Sequence, residues 1–112
     1  MTASEKSELL QGTLDMLILK VVGGEPLHGY AIAQRIEQTS RALLQVPQGS
    51  LYPALHRLEN RGWLSATWIR TDGGRDAKVY RVTAKGRRAL GREVADWQRV
   101  SAGIALILQT VE

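Results

Sequence analysis

The sequence of 112 residues contains no cysteine and only three prolines. The lack of cysteine excludes disulfides and thiolate metal sites and is typical of a reducing cytoplasm, where we expect this protein. No apolar run reaches membrane-spanning length, and the polar N-terminus lacks the apolar core of a signal peptide. We therefore expect a folded cytoplasmic protein without a membrane partner.

The sequence also lacks the patterns of an enzyme or a metalloprotein. Its two histidines, His28 and His56, have no acidic cluster nearby, which argues against a metal site. No nucleophile-elbow sequence surrounds a serine, and Gly23-Gly24 lacks the strand and lysine of a phosphate loop. We expect no catalytic site, metal or cofactor, and we interpret His28 and Tyr30 as packing or hydrogen-bonding groups at a helix entrance.

The positive charge is concentrated in one part of the chain. The formal net charge is +4, whereas residues 70–92 alone carry eight Lys or Arg against two Asp. A solvated helix face explains part of this excess, but the basic region also includes a predicted hairpin. A basic hairpin favours nucleic acid as the partner.

Hydrophobic periodicity predicts three helices, a β-hairpin and a long fourth helix. The helices are expected at about 8–22, 29–39 and 50–61, the strands at 63–70 and 78–83, and the last helix at 84–110. In the connection 40–47, Leu43, Leu44 and Val46 are expected to fill the core. The fold class is thus mainly α with a small hairpin wing: a winged helix-turn-helix over 1–83, followed by a C-terminal dimerisation helix over 84–112.

The third helix is the predicted recognition helix. Ser50 is expected to cap it, Pro53 to lie in its first turn and Gly62 to end it. One face carries leucines for the core, and the other carries polar and aromatic groups suited to base edges in a major groove. An ordinary amphipathic surface helix would show the same pattern. The expected DNA contacts are Gln48, Ser50, Tyr52, Pro53, His56 and Arg57 for bases and nearby phosphates, with Arg70, Arg75 and Lys78 for phosphates.

Two long apolar helices predict self-association. In the last helix, a stripe with alternating spacings of four and three runs from residue 90 to residue 111 and is apolar at every position except Ser101, the pattern of helix pairing. Packing on the chain's own first helix is the alternative, but it would leave apolar surface uncovered. The expected dimerisation residues are Leu10, Leu14, Leu17, Leu90, Val94, Trp97, Ile104 and Leu108. Trp97 is expected to be core at the dimer axis, or to stack a flat aromatic effector.

Four sequence blocks, in order and in register over residues 11–90, resemble the PadR family of bacterial transcriptional regulators. The blocks read G-T-L-D-M-L-I-L-K, P-L-H-G-Y-A-I-A-Q-R-I, Q-G-S-L-Y-P-A-L-H-R-L-E-N-R-G-W-L and Y-R-V-T-A-K-G. The resemblance implies a homodimeric repressor, with Ser50, Tyr52, Pro53 and His56 at the DNA surface and the wing at 73–78. In a dimer, two recognition helices about one turn of DNA apart would require a roughly palindromic operator. Some family members respond to small aromatic compounds.

The wing departs from the family's pattern at two positions. Asp76 stands where a basic residue is more usual, and Val79 stands where an aromatic residue is common. The competing function is a winged-helix module that binds protein through the same face. The basic wing favours DNA, because a nearly neutral wing would be expected of a protein-binding module.

Overall fold

The computed structural model describes the backbone of residues 3–110 and the side chains of residues 12–47 and 49–110. The elements are α1 (Ala3–Gly24), β1 (Leu27–His28), α2 (Gly29–Thr39), α3 (Gln48–Asn60), β2 (Leu64–Arg70), β3 (Asp76–Val82) and α4 (Ala84–Leu108). The predicted mainly α fold, with a small hairpin wing and a long C-terminal helix, is confirmed. Within the described residues, no helix is both long and apolar enough to cross a membrane.

The core lies where α1, α2 and α3 meet the sheet. Its fully buried side chains are Ile18, Leu19, Ile32, Leu55, Leu58 and Leu64. Each contributes about 1.5–3 kcal/mol by leaving water. The leucines of α3 occupy the predicted inward face, so this helix is fixed by one side and leaves the other open.

The connection between α2 and α3 differs from the prediction. Val46 packs against the core, but Leu43 is 86% exposed and Leu44 is 44% exposed. The cause is a tight turn in which the N–H of Ala42, at φ 62°, donates to the carbonyl of Glu37. The Glu37 carboxylate then accepts from the Val46 N–H at 3.0 Å, so only Val46 is drawn inward.

The sheet has three strands in the order β1-β3-β2, one more than predicted. Leu27 of β1 lies opposite Tyr80 of β3 in an antiparallel pairing. A strand of two residues shows no alternation in sequence, which explains why it was missed. β3 begins at Asp76, two residues earlier than predicted, and pairs with β2 from Arg70↔Asp76 to Leu64↔Val82.

The start of α3 also differs from the prediction. The helix begins at Gln48 with Pro47 as its N-cap, and the N–H of Ser50 donates to the Pro47 carbonyl at 2.9 Å. Ser50 is therefore inside the first turn, and Pro53 lies beyond that turn. The end of α3 is as predicted: Gly62 has φ +77°, and the Trp63 N–H donates back to the Leu58 carbonyl.

Thr83 joins the wing to α4. Its hydroxyl donates to the Gly62 carbonyl at 2.6 Å and accepts from the Gly86 N–H at 3.0 Å. Gly86 is needed because a Cβ there would lie 2.1 Å from the Trp63 carbonyl oxygen. From this close contact α4 runs outward, giving a molecule of 62 × 27 × 25 Å.

Candidate nucleic-acid interface

The outer face of α3 presents three of the predicted contact residues together. Tyr52, Pro53 and His56 are exposed, and Ser50 is half-buried at the first turn. The backbone of Gln48 opens the helix, but its side chain lies outside the described residues, so its role stays a prediction. This face can offer a phenol, a flat pyrrolidine ring and an imidazole to a ligand.

Arg57 is only part-exposed and is engaged by α1, so its predicted contact with DNA stays a prediction. Its Nη2 donates to Oδ1 of Asp15 in α1 at 2.8 Å. Asp15 is only 8% exposed, and Nη1 of Arg61 lies 4.0 Å from its other oxygen. Burial raises the pKa of the Asp15 carboxyl, and the hydrogen bond from Arg57 opposes that rise. The sequence gives little sign of this pair, because its members are 42 positions apart.

The three predicted phosphate contacts of the wing have different surroundings. Nζ of Lys78 donates to Glu59 of α3 at 3.0 Å, a hydrogen bond that raises the pKa of Lys78. Nε of Arg70 lies 3.8 Å from Oδ1 of Asp76. Arg75, at the hairpin tip, forms no ion pair with any residue that the structure describes. Arg75 therefore offers the most available positive charge of the three.

An open groove of about 560 Å³ separates α3 from the wing, and we call it the wing groove. Residues from the N-terminus of α2, from α3 and from both long strands line it. The predicted site did not include Trp68 or Tyr30. Its lining includes Tyr30, Tyr52, Trp68, Arg75, Lys78 and Tyr80.

The orientation of Tyr52 in the wing groove is set by Gly29. A Cβ at Gly29 would lie 3.0 Å from Cε1 and 3.4 Å from the hydroxyl of Tyr52, so the ring lies against the start of α2. Next to it, Nδ1 of His28 accepts from the N–H of Ala31 at 3.4 Å and caps α2. The predicted hydrogen-bonding role of His28 at a helix entrance is confirmed.

The predicted dimerisation residues divide into covered and uncovered groups. Leu14 is 4% exposed inside the core of the chain itself, so it has no surface for a partner and this prediction is wrong. Leu17 and Leu90 pack partly against that core, as the intramolecular alternative predicted. The side chain of Leu10 lies outside the described residues.

Beyond Leu90, α4 leaves the body of the molecule and its apolar residues are uncovered. Val94 is half-buried, and Trp97 is 52% exposed. We call the exposed large side chains of this segment the C-terminal apolar surface: Trp97, Val100, Ile104, Leu106, Ile107 and Leu108. Val111, the last residue of the predicted stripe, lies outside the described residues.

A second groove, of about 950 Å³, runs between α1 and α4. Met16 and Leu17 of α1 face Leu90, Val94 and Trp97 of α4 across it. The exposed Leu44 lines the same groove, which gives this side chain an apolar setting outside the core. The groove is suited to apolar contact, whether with a helix or with a small molecule.

Known proteins resemble this chain over most of its length. A model of the transcriptional regulator PadR-like family matches residues 18–92. A transcriptional regulator of Mycobacterium tuberculosis is 35% identical over 106 residues, covering 86% of this chain and 95% of that protein.

Solved structures give the same result. A PadR family transcriptional regulator from Eggerthella lenta has 32% identity and a TM-score of 0.81, over 97% of this chain and 93% of that one. A PadR-like transcriptional regulator from Bacillus cereus has 27% identity and a TM-score of 0.76, over 93% and 99%.

Proposed function

The chain belongs to the PadR-like family of transcriptional regulators, which are DNA-binding proteins and not enzymes, and from this premise we propose that it is a homodimeric repressor of a palindromic operator. The proposal rests on one observation: the chain has two separate open surfaces. The outer face of α3 and the wing form one surface, and the C-terminal apolar surface forms the other. The first fits a half-site, and the second fits another copy of the chain.

Base recognition in this proposal belongs to the exposed face of α3. His56 lies one helical turn beyond Tyr52 and can donate to or accept from a base edge. Gln48 and Ser50, at the helix start, are proposed for contacts with bases or adjacent phosphates. Arg57 is left out of this set, because its guanidinium is already engaged by Asp15.

Phosphate binding is assigned to the wing, with Arg75 as its strongest member. Arg70 and Lys78 contribute less, because Asp76 and Glu59 already offset their charges. Contacts of this kind supply affinity that depends on salt and not on sequence.

Dimerisation is assigned to α4, with α1 beside it. Trp97, Ile104 and Leu108 expose apolar surface that a second copy of the chain would cover. Leu90 lies at the inner end of the same stripe and faces Leu17 of α1 across the groove. A two-fold dimer would set two recognition helices about one turn of DNA apart, which requires a palindromic site. In this proposal residues 1–83 bind DNA, and residues 84–112 form the contact between the two copies of the chain.

The groove between α1 and α4 is the proposed place for a small aromatic effector. Trp97 supplies an aromatic face, and Met16 and Val94 supply apolar walls. A flat compound held there would alter how α4 packs on α1, and so the spacing of two recognition helices. If planar aromatic compounds leave the tryptophan fluorescence unchanged, this part of the proposal is wrong.

The test of the main proposal is selection of bound sequences from random duplex DNA at moderate salt. Enrichment of an inverted repeat supports a dimeric, sequence-specific regulator. Binding without an enriched motif, and with a steep loss at higher salt, would leave only phosphate contacts. No binding at all would favour a protein-binding use of the same face. Repression itself is tested by placing the recovered site over a promoter and measuring transcription with and without the protein.

A further inference from the structure

We propose that the wing groove holds one sugar–phosphate strand of duplex DNA, with Tyr52 on one side and Trp68 on the other. This inference rests on the proposed DNA-binding function. It assigns to Trp68 a role in DNA contact and moves Tyr52 from base recognition to backbone contact. The two residues come from α3 and β2, so the groove joins the recognition helix to the wing.

The direction of Trp68 follows from the strand register. Side chains alternate between the two faces of a strand, so Leu64 and Trp68 lie on the same face of β2. Leu64 is 2% exposed against the helices, whereas Trp68 is 66% exposed. The face that covers the core at one end of β2 therefore continues into the wing groove at the other, and presents an indole there.

The partners of Trp68 on the neighbouring strand supply polar and charged groups. Trp68 lies directly opposite Lys78, and Ala66 lies opposite Tyr80. Nζ of Lys78 sits 5.5 Å from the centre of the Tyr80 ring, so cation and ring are stacked at the groove floor. Arg75 stands at the outer end of the groove without an ion pair among the described residues. Asp76 also lines the groove, and Arg70 offsets its charge.

This combination fits a sugar–phosphate strand better than an apolar peptide. The faces of an indole and a phenol can pack on the C–H groups of deoxyribose, while the indole N–H and the phenol O–H can donate to phosphate oxygens. Arg75 and Lys78 add positive charge along the same path. An apolar peptide would leave the Arg75 guanidinium and these two donors without partners.

The position of Gly29 supports a contact between Tyr52 and the sugar–phosphate backbone of DNA. The ring of Tyr52 lies against the start of α2, where a Cβ at Gly29 would come within 3.0 Å of Cε1. Tyr52 is thus turned toward the groove, while His56 remains on the open face of α3. The proposed contact of Tyr52 with the DNA backbone and that of His56 with a base are thus one turn apart on α3.

The test compares Trp68→Ala with wild type on an operator and on an unrelated duplex of equal length. We expect the affinity for both to fall by about tenfold, the size of one lost apolar contact. The slope of affinity against salt should stay unchanged, because no charge is removed. Trp68→Phe should retain most of the affinity, since it keeps the packing ring.

Ile69→Ala is the matched control. Ile69 is the next residue of β2, is also exposed at 47%, and lies on the opposite face of the strand. This variant should bind both duplexes as wild type does. A loss equal to that of Trp68→Ala would mean general damage to the wing and would overturn the proposal.

A fluorescence measurement gives a readout that a purely structural role would not produce. The difference in emission between wild type and Trp68→Phe isolates Trp68, and we expect that difference to change when DNA is added.

Unchanged affinity for both duplexes in Trp68→Ala, or a loss confined to the operator, would overturn the backbone assignment and leave DNA binding intact. Failure of wild type to bind either duplex would overturn the proposed function as well.

Discussion

Arg57 of the recognition helix donates a 2.8 Å hydrogen bond to Asp15, which is nearly buried in α1. The bond connects the helix proposed to bind DNA with a helix proposed to lie beside the dimer contact. The bond also holds the Arg57 guanidinium against α1, whereas sequence periodicity alone would place it on the outer face of α3. Its consequences for stability can be measured directly.

The first prediction concerns the pH dependence of folding. Burial raises the pKa of Asp15 above its unfolded value, so the folded state binds this proton more tightly. The contribution of Asp15 to stability is therefore greatest below the unfolded pKa of about 3.9 and is lost as pH rises through the raised pKa. Asp15→Asn lacks this titration. The difference in free energy of unfolding, wild type minus Asp15→Asn, should fall as pH rises, as measured by urea titration.

Arg57→Met provides the comparison for that experiment. It leaves the Asp15 carboxylate buried without its hydrogen-bond donor, and we expect a loss of about 1–3 kcal/mol at neutral pH. Asp15→Asn should cost much less there, because burial of the charge outweighs its attraction to Arg57. A stability difference that grows with pH would show that the ion pair, and not burial, dominates.

The second prediction concerns the junction of wing and α4. In Gly86→Ala the new Cβ would lie 2.1 Å from the Trp63 carbonyl oxygen, so backbone must move. We expect a loss of about 2–3 kcal/mol in the free energy of unfolding, seen as a lower melting temperature. Gly91→Ala, in the same helix, has open space around its Cβ. It should stabilise the helix by about 0.5–1 kcal/mol, and equal effects at both positions would contradict the close contact.

The third prediction separates the dimer stripe from merely exposed apolar residues. Ile104→Glu places a charge on the stripe of alternating four and three spacing and should give a monomer in sedimentation equilibrium. Operator affinity should fall with it, because two half-sites are no longer bound together. Ala102→Glu is the matched control: Ala102 is exposed on the same helix but lies off the stripe and outside the C-terminal apolar surface. If both variants remain dimeric, the contact is not built by this face of α4.

Much of the fold could be predicted from sequence because its signals are local. The leucines of α3, the glycine at its end and the Thr83 cap each act within a few residues. The errors arose where distant groups decide the outcome. Leu14 looked like part of a dimer stripe, but it belongs to the core of the chain itself, and the two-residue β1 exists only because β3 lies beside it.

The candidate site was predictable to a similar degree. Helical spacing placed Tyr52 and His56 outward, as observed, since exposure on one helix follows from its buried leucines. It could not show that Asp15 holds Arg57, or that Glu59 holds Lys78, because each pair joins separate elements. Trp68 was overlooked because its importance depends on the groove formed with α3.

The last prediction separates phosphate contacts from base recognition. Arg75→Ala removes a cation that has no ion pair among the described residues, so affinity should fall equally for operator and unrelated duplex. The slope of log affinity against log salt should become shallower by about one. His56→Ala should leave that slope unchanged and instead relax the preference at one base pair of each half-site, a discrimination of about 1–3 kcal/mol. Titration of single-base operator variants at several salt concentrations measures both effects. If the two variants behave alike, phosphate binding and base recognition are not separated between the wing and α3, and affinity and specificity come from the same residues.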